Sequence, residues 1–151
     1  MFEVLKAEIT DACVINIISH LAFKDSFERY KFCPAYEATE EQVVTWIKNS
    51  LAYKIIVDGQ IIGSIFIINK SNYEYELSII SIHPDYQNMG IATEAIKCIE
   101  KLYTDVKIWT LQTPENEIRN KHFYEKLGYI NVGYEKVNDL LNLINYKKEL
   151  I

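Results

Sequence analysis

The sequence predicts an α+β, three-layer fold: a mixed, mostly antiparallel central sheet of about seven strands, with helices on both faces. Three observations carry that prediction. In the first half, apolar runs follow one another across two-residue turns, which demands antiparallel hairpins. Residues 73–112 then read strand, helix, strand, which requires a parallel pair with a right-handed crossover. Two further alternating runs close the chain as a last hairpin. With 151 residues the chain fits one domain, residues 1–151, and can bury a core without covalent staples.

The elements follow in order. Residues 2–9 alternate weakly and form the first strand. Thr10 and Asp11 offer N-cap oxygens to a helix whose apolar face takes in Val14, Ile15, Ile18 and Leu21. Across residues 23–36 the period dissolves into aromatics mixed with charge, ending after Pro34. A capping box, Thr39 with Gln42, opens a second helix that sends Val43, Trp46 and Ile47 to the core. Residues 52–57 and 60–69 flank Asp58 and Gly59, a pair that tolerates positive φ, and make a tight hairpin. Residues 73–83 are the fourth strand, stopped by Pro84. Ala92, Ala95, Ile96, Ile99 and Leu102 then fall on one face at helical spacing, so residues 90–103 form a helix. Residues 106–112 are the fifth strand, 120–127 a helix ended by Gly128, and 129–136 and 141–149 the last two strands.

Composition excludes several functions. A formal net charge of −5 opposes sequence-independent nucleic-acid binding, which needs surplus Lys and Arg. The most apolar run, residues 61–68, contains Gly63 and Ser64 and is too short to span a bilayer, so no membrane partner is expected. Cys13, Cys33 and Cys98 are odd in number and lack C-x-x-C spacing, favouring reduced thiols in a cytoplasmic protein. His20, His83 and His122 show no ligand spacing, and no metal is expected.

The informative stretch is residues 80–93. A strand ends at a proline, a short loop follows, and Gly90 and Ala92 open a helix. Small residues there let free backbone N–H groups approach an anion, and the helix dipole adds positive potential. The arrangement suits a pyrophosphate. Gly90 is also an ordinary turn residue and Ala92 an ordinary helix former, so this feature alone leaves both readings open.

Two motifs supply the resemblance. Gln87, Asn88, Met89, Gly90, Ile91 and Ala92 match a signature of Gln or Arg, two residues, Gly, one residue, then Gly or Ala. About thirty residues on, residues 123–129 read FYEKLGY, similar to a helix reading FYEKLGF that ends in glycine. In order and spacing the two blocks resemble the GNAT superfamily of acetyl-CoA-dependent N-acetyltransferases. The resemblance implies the GNAT fold, in which parallel strands 4 and 5 splay apart, and acetyl-CoA as acyl donor.

It also implies roles by position. The pantetheine arm would pair like an extra strand with Ile80, Ser81 and Ile82, and amides from Asn88 through Met89, Gly90, Ile91 and Ala92 to Thr93 would hold the pyrophosphate, beside Gln87. Tyr124 matches the tyrosine near the departing sulfur; a phenol, protonated at neutral pH, can donate to a thiolate. Tyr124 beside Phe123 and Leu127 reads as simple packing if the motif is set aside. Glu76 matches an acid that several members keep on the fourth strand, the candidate base, and it reads equally as a solvated strand carboxylate. Other members place an acid where this chain has Gln112, which cannot act as a base. Of Asn116 and Asn120, near a cofactor-contacting asparagine of many members, Asn120 is the better match.

The implied partners are acetyl-CoA and an amine-bearing acceptor, a small amine or a peptide amine, with room for a homodimer. The family builds its acceptor site from the first two helices and the last hairpin. Here that gathers Phe23, Phe27, Tyr30, Phe32 and Tyr36 with Glu28, Glu37, Glu40 and Glu41, and the strands around Tyr134. Aromatics with carboxylates suit a cationic amine, and equally a plain amphipathic surface. The alternative to catalysis is a non-catalytic acyl-CoA-binding sensor or interaction module of the same fold.

Overall fold

The computed structural model describes residues 1–150. Seven strands form one sheet: β1 (Phe2–Lys6), β2 (Leu51–Val57), β3 (Gln60–Asn69), β4 (Glu74–Ile82), β5 (Ile108–Pro114), β6 (Ile130–Asn138) and β7 (Leu141–Glu149). Their order is β1-β2-β3-β4-β5-β7-β6, and every pairing is antiparallel except β4 with β5. Helices α1 (Ala12–Tyr30), α2 (Pro34–Glu37) and α3 (Glu40–Asn49) precede β2; α4 (Ile91–Leu102) and α5 (Ile118–Lys126) flank β5. This is the expected three-layer mixed sheet.

Two cores lie on opposite faces of it. One packs α1 and α3 over β2 and β3, through Ile15, Val43, Ile47, Ala52 and Phe66. The larger one places Ala95, Ile96 and Ile99 of α4 over Ile65, Ile67, Trp109, Leu111, Ile144 and Tyr146. Trp109, Ile96 and Ile99 are completely buried, and each such side chain contributes about 1.5–3 kcal/mol from its removal from water. Among the described residues no helix is long and apolar enough to cross a membrane.

Local chemistry explains the boundaries. The β2–β3 turn has φ of 50° at Asp58 and 81° at Gly59, the left-handed pair that matches strand twist. Thr39 accepts from the Gln42 amide and the Gln42 side chain from the Thr39 amide, the expected box at the start of α3. Three expectations need correction. Helix α1 runs unbroken to Tyr30, ending at Lys31 with φ 57°; Phe23, Ser26 and Tyr30 line a cleft, which hid the helical period. On α1 only Ile15 and Ile18 of the expected face are buried, while Val14 and Leu21 lie exposed on the far side. Asp11 caps no residue of α1: its carboxylate accepts from the Glu8 amide and from Lys54, tying the helix start to β2.

Candidate active site

Strands β4 and β5 pair only from Glu74–Ile108 through Glu76–Thr110. Past that point they separate. The β3–β4 register shifts there as well: Leu77 pairs with Ile67 but Ile79 with Phe66, so Ser78 is an extra residue on β4. A bulge of this kind bends its strand and increases twist, which turns the end of β4 away from β5. The His83 amide donates to the Ile62 carbonyl at 2.7 Å. In an antiparallel ladder that phase directs the Ser81 N–H and C=O to β3 and those of Ile80 and Ile82 into the gap. The Ser81 side chain is also turned inward, Oγ to Oγ with Ser64 at 2.7 Å. Ser81 therefore does not line the cleft, while Ile80 and Ile82 do.

The loop that follows joins this strand edge to α4. Gln87 Nε2 donates to the Ile82 carbonyl at 2.9 Å, closing the loop on the strand end. Asn88 and Gly90 have φ of 64° and 78°, so the backbone curls and Gly90 becomes the N-cap, without a capping side chain. The first intrahelical bond is from the Glu94 amide to the Gly90 carbonyl, which leaves the amides of Ile91, Ala92 and Thr93 unclaimed within the helix. Gln87, Asn88, Gly90, Ile91, Ala92 and Thr93 line the cleft; Met89 does not and is exposed. Arg119, one residue into α5, donates to Asn88 Oδ1 across the mouth. Sequence reasoning passed over it; a lone basic residue near a helix start carries no motif of its own.

The opposite wall is α5. Tyr124 is half-buried, lines the cleft, and its hydroxyl has no hydrogen-bond partner among the described residues. Burial pushes its phenol up to about 12, so it stays protonated at neutral pH. Asn120 lines the same wall and donates to Thr113 Oγ1 at 3.2 Å, whereas Asn116 lies outside the cleft. Glu76 sits at the root of the gap with Lys70 2.9 Å away. Strand β5 continues two residues beyond Gln112, whose Nε2 donates to Asn145 Oδ1 at 2.8 Å.

The cleft measures about 1280 Å³ and reaches from the amide loop to α1 and α3. Of the expected acceptor aromatics, Phe23, Tyr30 and Phe32 line it, joined by Trp46 and Phe66. Phe27 and Tyr36 stack on each other at 4.8 Å instead, and Tyr134 stands exposed on β6. Glu28, Glu37, Glu40 and Glu41 are also outside it. Three other carboxylates do line it: Asp25 of α1, Glu76 at the root of the gap, and Glu117 at the start of α5. Arg29 Nη1 and the Tyr30 hydroxyl both donate to Oε1 of Glu117, at 2.7 and 2.8 Å. Nothing in the sequence pairs residues 29 and 117; only the fold brings them together.

Solved structures share this architecture. The PaiA N-acetyltransferase of Thermoplasma acidophilum, in complex with coenzyme A, superposes with a TM-score of 0.73 at 18% identity, over 99% of each chain. Ard1 of Thermoplasma volcanium gives 0.81 at 14% identity, over 99% of this chain and 98% of that one. These likenesses establish the fold, that of N-acetyltransferases with a splayed mixed sheet. The sequence pattern of the Acetyltransferase (GNAT) family matches residues 17–129, and the chain belongs to that acyltransferase family. The uncharacterized protein YrkN of Bacillus subtilis (strain 168) is 34% identical over 82 residues. That match takes in 53% of this chain and 44% of YrkN, less than half the relative's length.

Proposed function

We propose that this chain, acting as one domain, transfers an acetyl group from acetyl-CoA to an amine acceptor by direct attack in a ternary complex. The observation that carries the reading is a continuous polar track. The backbone edge of Ile80 and Ile82, which β3 leaves unpaired and of which only the Ile82 carbonyl is taken, by Gln87, runs into the unclaimed amides at the start of α4, with Tyr124 on the other wall. These residues fit the donor. A pantetheine arm carries amides that can pair with a strand edge, and a pyrophosphate suits curled amides at a helix N-terminus. Arg119 adds a cation beside them.

The chemistry assigned to the residues is simple. The amine nitrogen attacks the thioester carbonyl, a C–N bond forms, the C–S bond breaks, and the electron pair leaves on sulfur. Tyr124 donates a hydrogen bond to that sulfur. A lysine-like amine is free base only about once in 10³ molecules at neutral pH, so it must shed a proton first. Glu76, at the root of the gap, receives it directly or through water. The amine nature of the acceptor rests on the coenzyme A-bound N-acetyltransferase of like fold and on the aromatic lining of the cleft.

Isothermal titration with acetyl-CoA, followed by free-thiol release over a panel of amines, tests the proposal. Binding with acceptor-dependent thiol release is the expected result. Binding without release by any amine would replace it with a non-catalytic acyl-CoA-binding module, in keeping with Gln112 where an acid is expected; no binding removes both.

A further inference from the structure

We propose that Glu117 makes the acceptor site selective for diamines, holding the second ammonium group of an acceptor whose first amine takes the acetyl group. This rests on the acetyl-transfer reading above and names the substrate class of that site. Glu117 precedes α5 immediately and lines the cleft with Asn120 and Tyr124. Offsets of three and seven residues put all three on one helix face. At a rise of 1.5 Å per residue, Glu117 and Tyr124 are about 10 Å apart along the axis. A short chain with an amine at each end can bridge that span.

The carboxylate is built for the task. Its side chain is only 20% exposed, and both donors, Arg29 and Tyr30, converge on Oε1. Oε2 has no partner among the described residues. A purely structural pair would be expected to engage both oxygens, since a guanidinium fork matches a carboxylate bidentately. Here two donors set the plane of the group and leave one oxygen able to accept. The bracket is itself held, because Tyr30 is buried and Asn138 Nδ2 donates to its carbonyl at 3.1 Å. Phe23 and Phe32 line the same cleft, and apolar and aromatic walls strengthen an ammonium–carboxylate contact. Arg29 repels the incoming cation in part, which places the expected preference nearer tenfold than a hundredfold.

The test compares putrescine with n-butylamine, matched in length and differing by one ammonium group, in the thiol-release assay with acetyl-CoA. The wild-type chain should favour putrescine by about tenfold in kcat/KM, the value of one charge-assisted contact partly offset by Arg29. In Glu117→Gln that ratio should fall to near one. Glutamine keeps the shape and an oxygen for Tyr30 and Arg29, and a thermal melt checks the fold. A second series needs no variant: in the wild type, kcat/KM should rise from ethylenediamine to putrescine to cadaverine. Equal rates for putrescine and butylamine, no rise along the series, or equal loss for both amines in Glu117→Gln would overturn the proposal. Turnover of butylamine without diamine preference would leave the acetyl-transfer reading standing; absence of amine-dependent thiol release with every amine would remove both.

Discussion

Replacing Tyr124 by Phe removes one hydroxyl and little else. The ring packs against Phe123, Tyr129 and Tyr146 with centroids 5.0, 6.0 and 6.2 Å away, contacts that phenylalanine keeps. No partner among the described residues is left stranded, so stability should change by less than about 0.5 kcal/mol. The effect on rate follows from burial, which pushes the phenol up to about 12. An ordinary thiol sits near 8.5, so handing the whole proton to a thiolate runs uphill by about 5 kcal/mol. In the proposed reaction Tyr124 would therefore act as a hydrogen-bond donor to the departing sulfur and keep its proton at the moment of cleavage. A hydrogen bond to a charged group is worth about 1.5–3 kcal/mol, which is about 10- to 150-fold in rate. The Tyr124→Phe chain should lose that much in kcat for acetyl transfer. Its acetyl-CoA dissociation constant by calorimetry should stay within about twofold. An unchanged kcat would refute the donor role, and so would a loss appearing wholly in cofactor affinity.

Other outcomes follow from the same geometry. Arg119→Gln should weaken acetyl-CoA binding by about tenfold in calorimetry, the value of one charged contact, and leave acetyl-pantetheine, which lacks the phosphates, nearly unaffected. Equal losses for both ligands would show that Arg119 reads no phosphate. Gly63→Ala should cost about 1–3 kcal/mol in urea unfolding. Its new Cβ would collide with the Ser81 carbonyl and press on the Ile82 and Ile55 methyls at 3.2 and 3.3 Å. A stable variant would mean that β3 and β4 can part without penalty. Raising the pH should also destabilise the protein. Tyr30 and Tyr124 are pushed up to about 12 in the folded state, chiefly by burial, against about 10 unfolded. Their stabilisation is whole below pH 10 and lost as pH rises from about 10 to 12, at about 2–3 kcal/mol each. A urea midpoint that is flat across that range would contradict the burial of these hydroxyls.

Much of this architecture is legible in the sequence because its signals are local. The box at Thr39 and Gln42, the turn at Asp58 and Gly59, and the small residues at Gly90 and Ala92 act within four residues of themselves. What escapes is non-local or averaged over two surfaces. Helix α1 has no clean period after Leu21 because Phe23, Ser26 and Tyr30 face a cleft rather than a core. The phase of β4, which turns Ser81 to β3 and frees Ile80 and Ile82, depends on the bulge at Ser78, and no composition rule marks one serine in a strand of alternating residues. Glu117 was invisible as a cleft residue because its partners lie 88 and 87 positions away. Glutamates selected by proximity in sequence to the aromatics, such as Glu28 and Glu37, point elsewhere.

The parting of β4 from β5 has a consequence for cohesion. Beyond Glu76 and Thr110 the sheet is two ladders, β1 to β4 and β5 with β7 and β6, joined by a short parallel seam. Few side-chain hydrogen bonds cross it, namely Arg29 and Tyr30 to Glu117, Asn138 to Tyr30 and Arg119 to Asn88, while the apolar core under α4 joins the two ladders from one face. A ligand lying along the gap acts as the absent rungs and ties the halves together. Present at a hundred times its dissociation constant, such a ligand adds about 2.7 kcal/mol to the unfolding free energy. The cleft proposed for the chemistry is thus also where strand-to-strand pairing is missing. The protein's resistance to heat should then track the concentration of whatever fills that space.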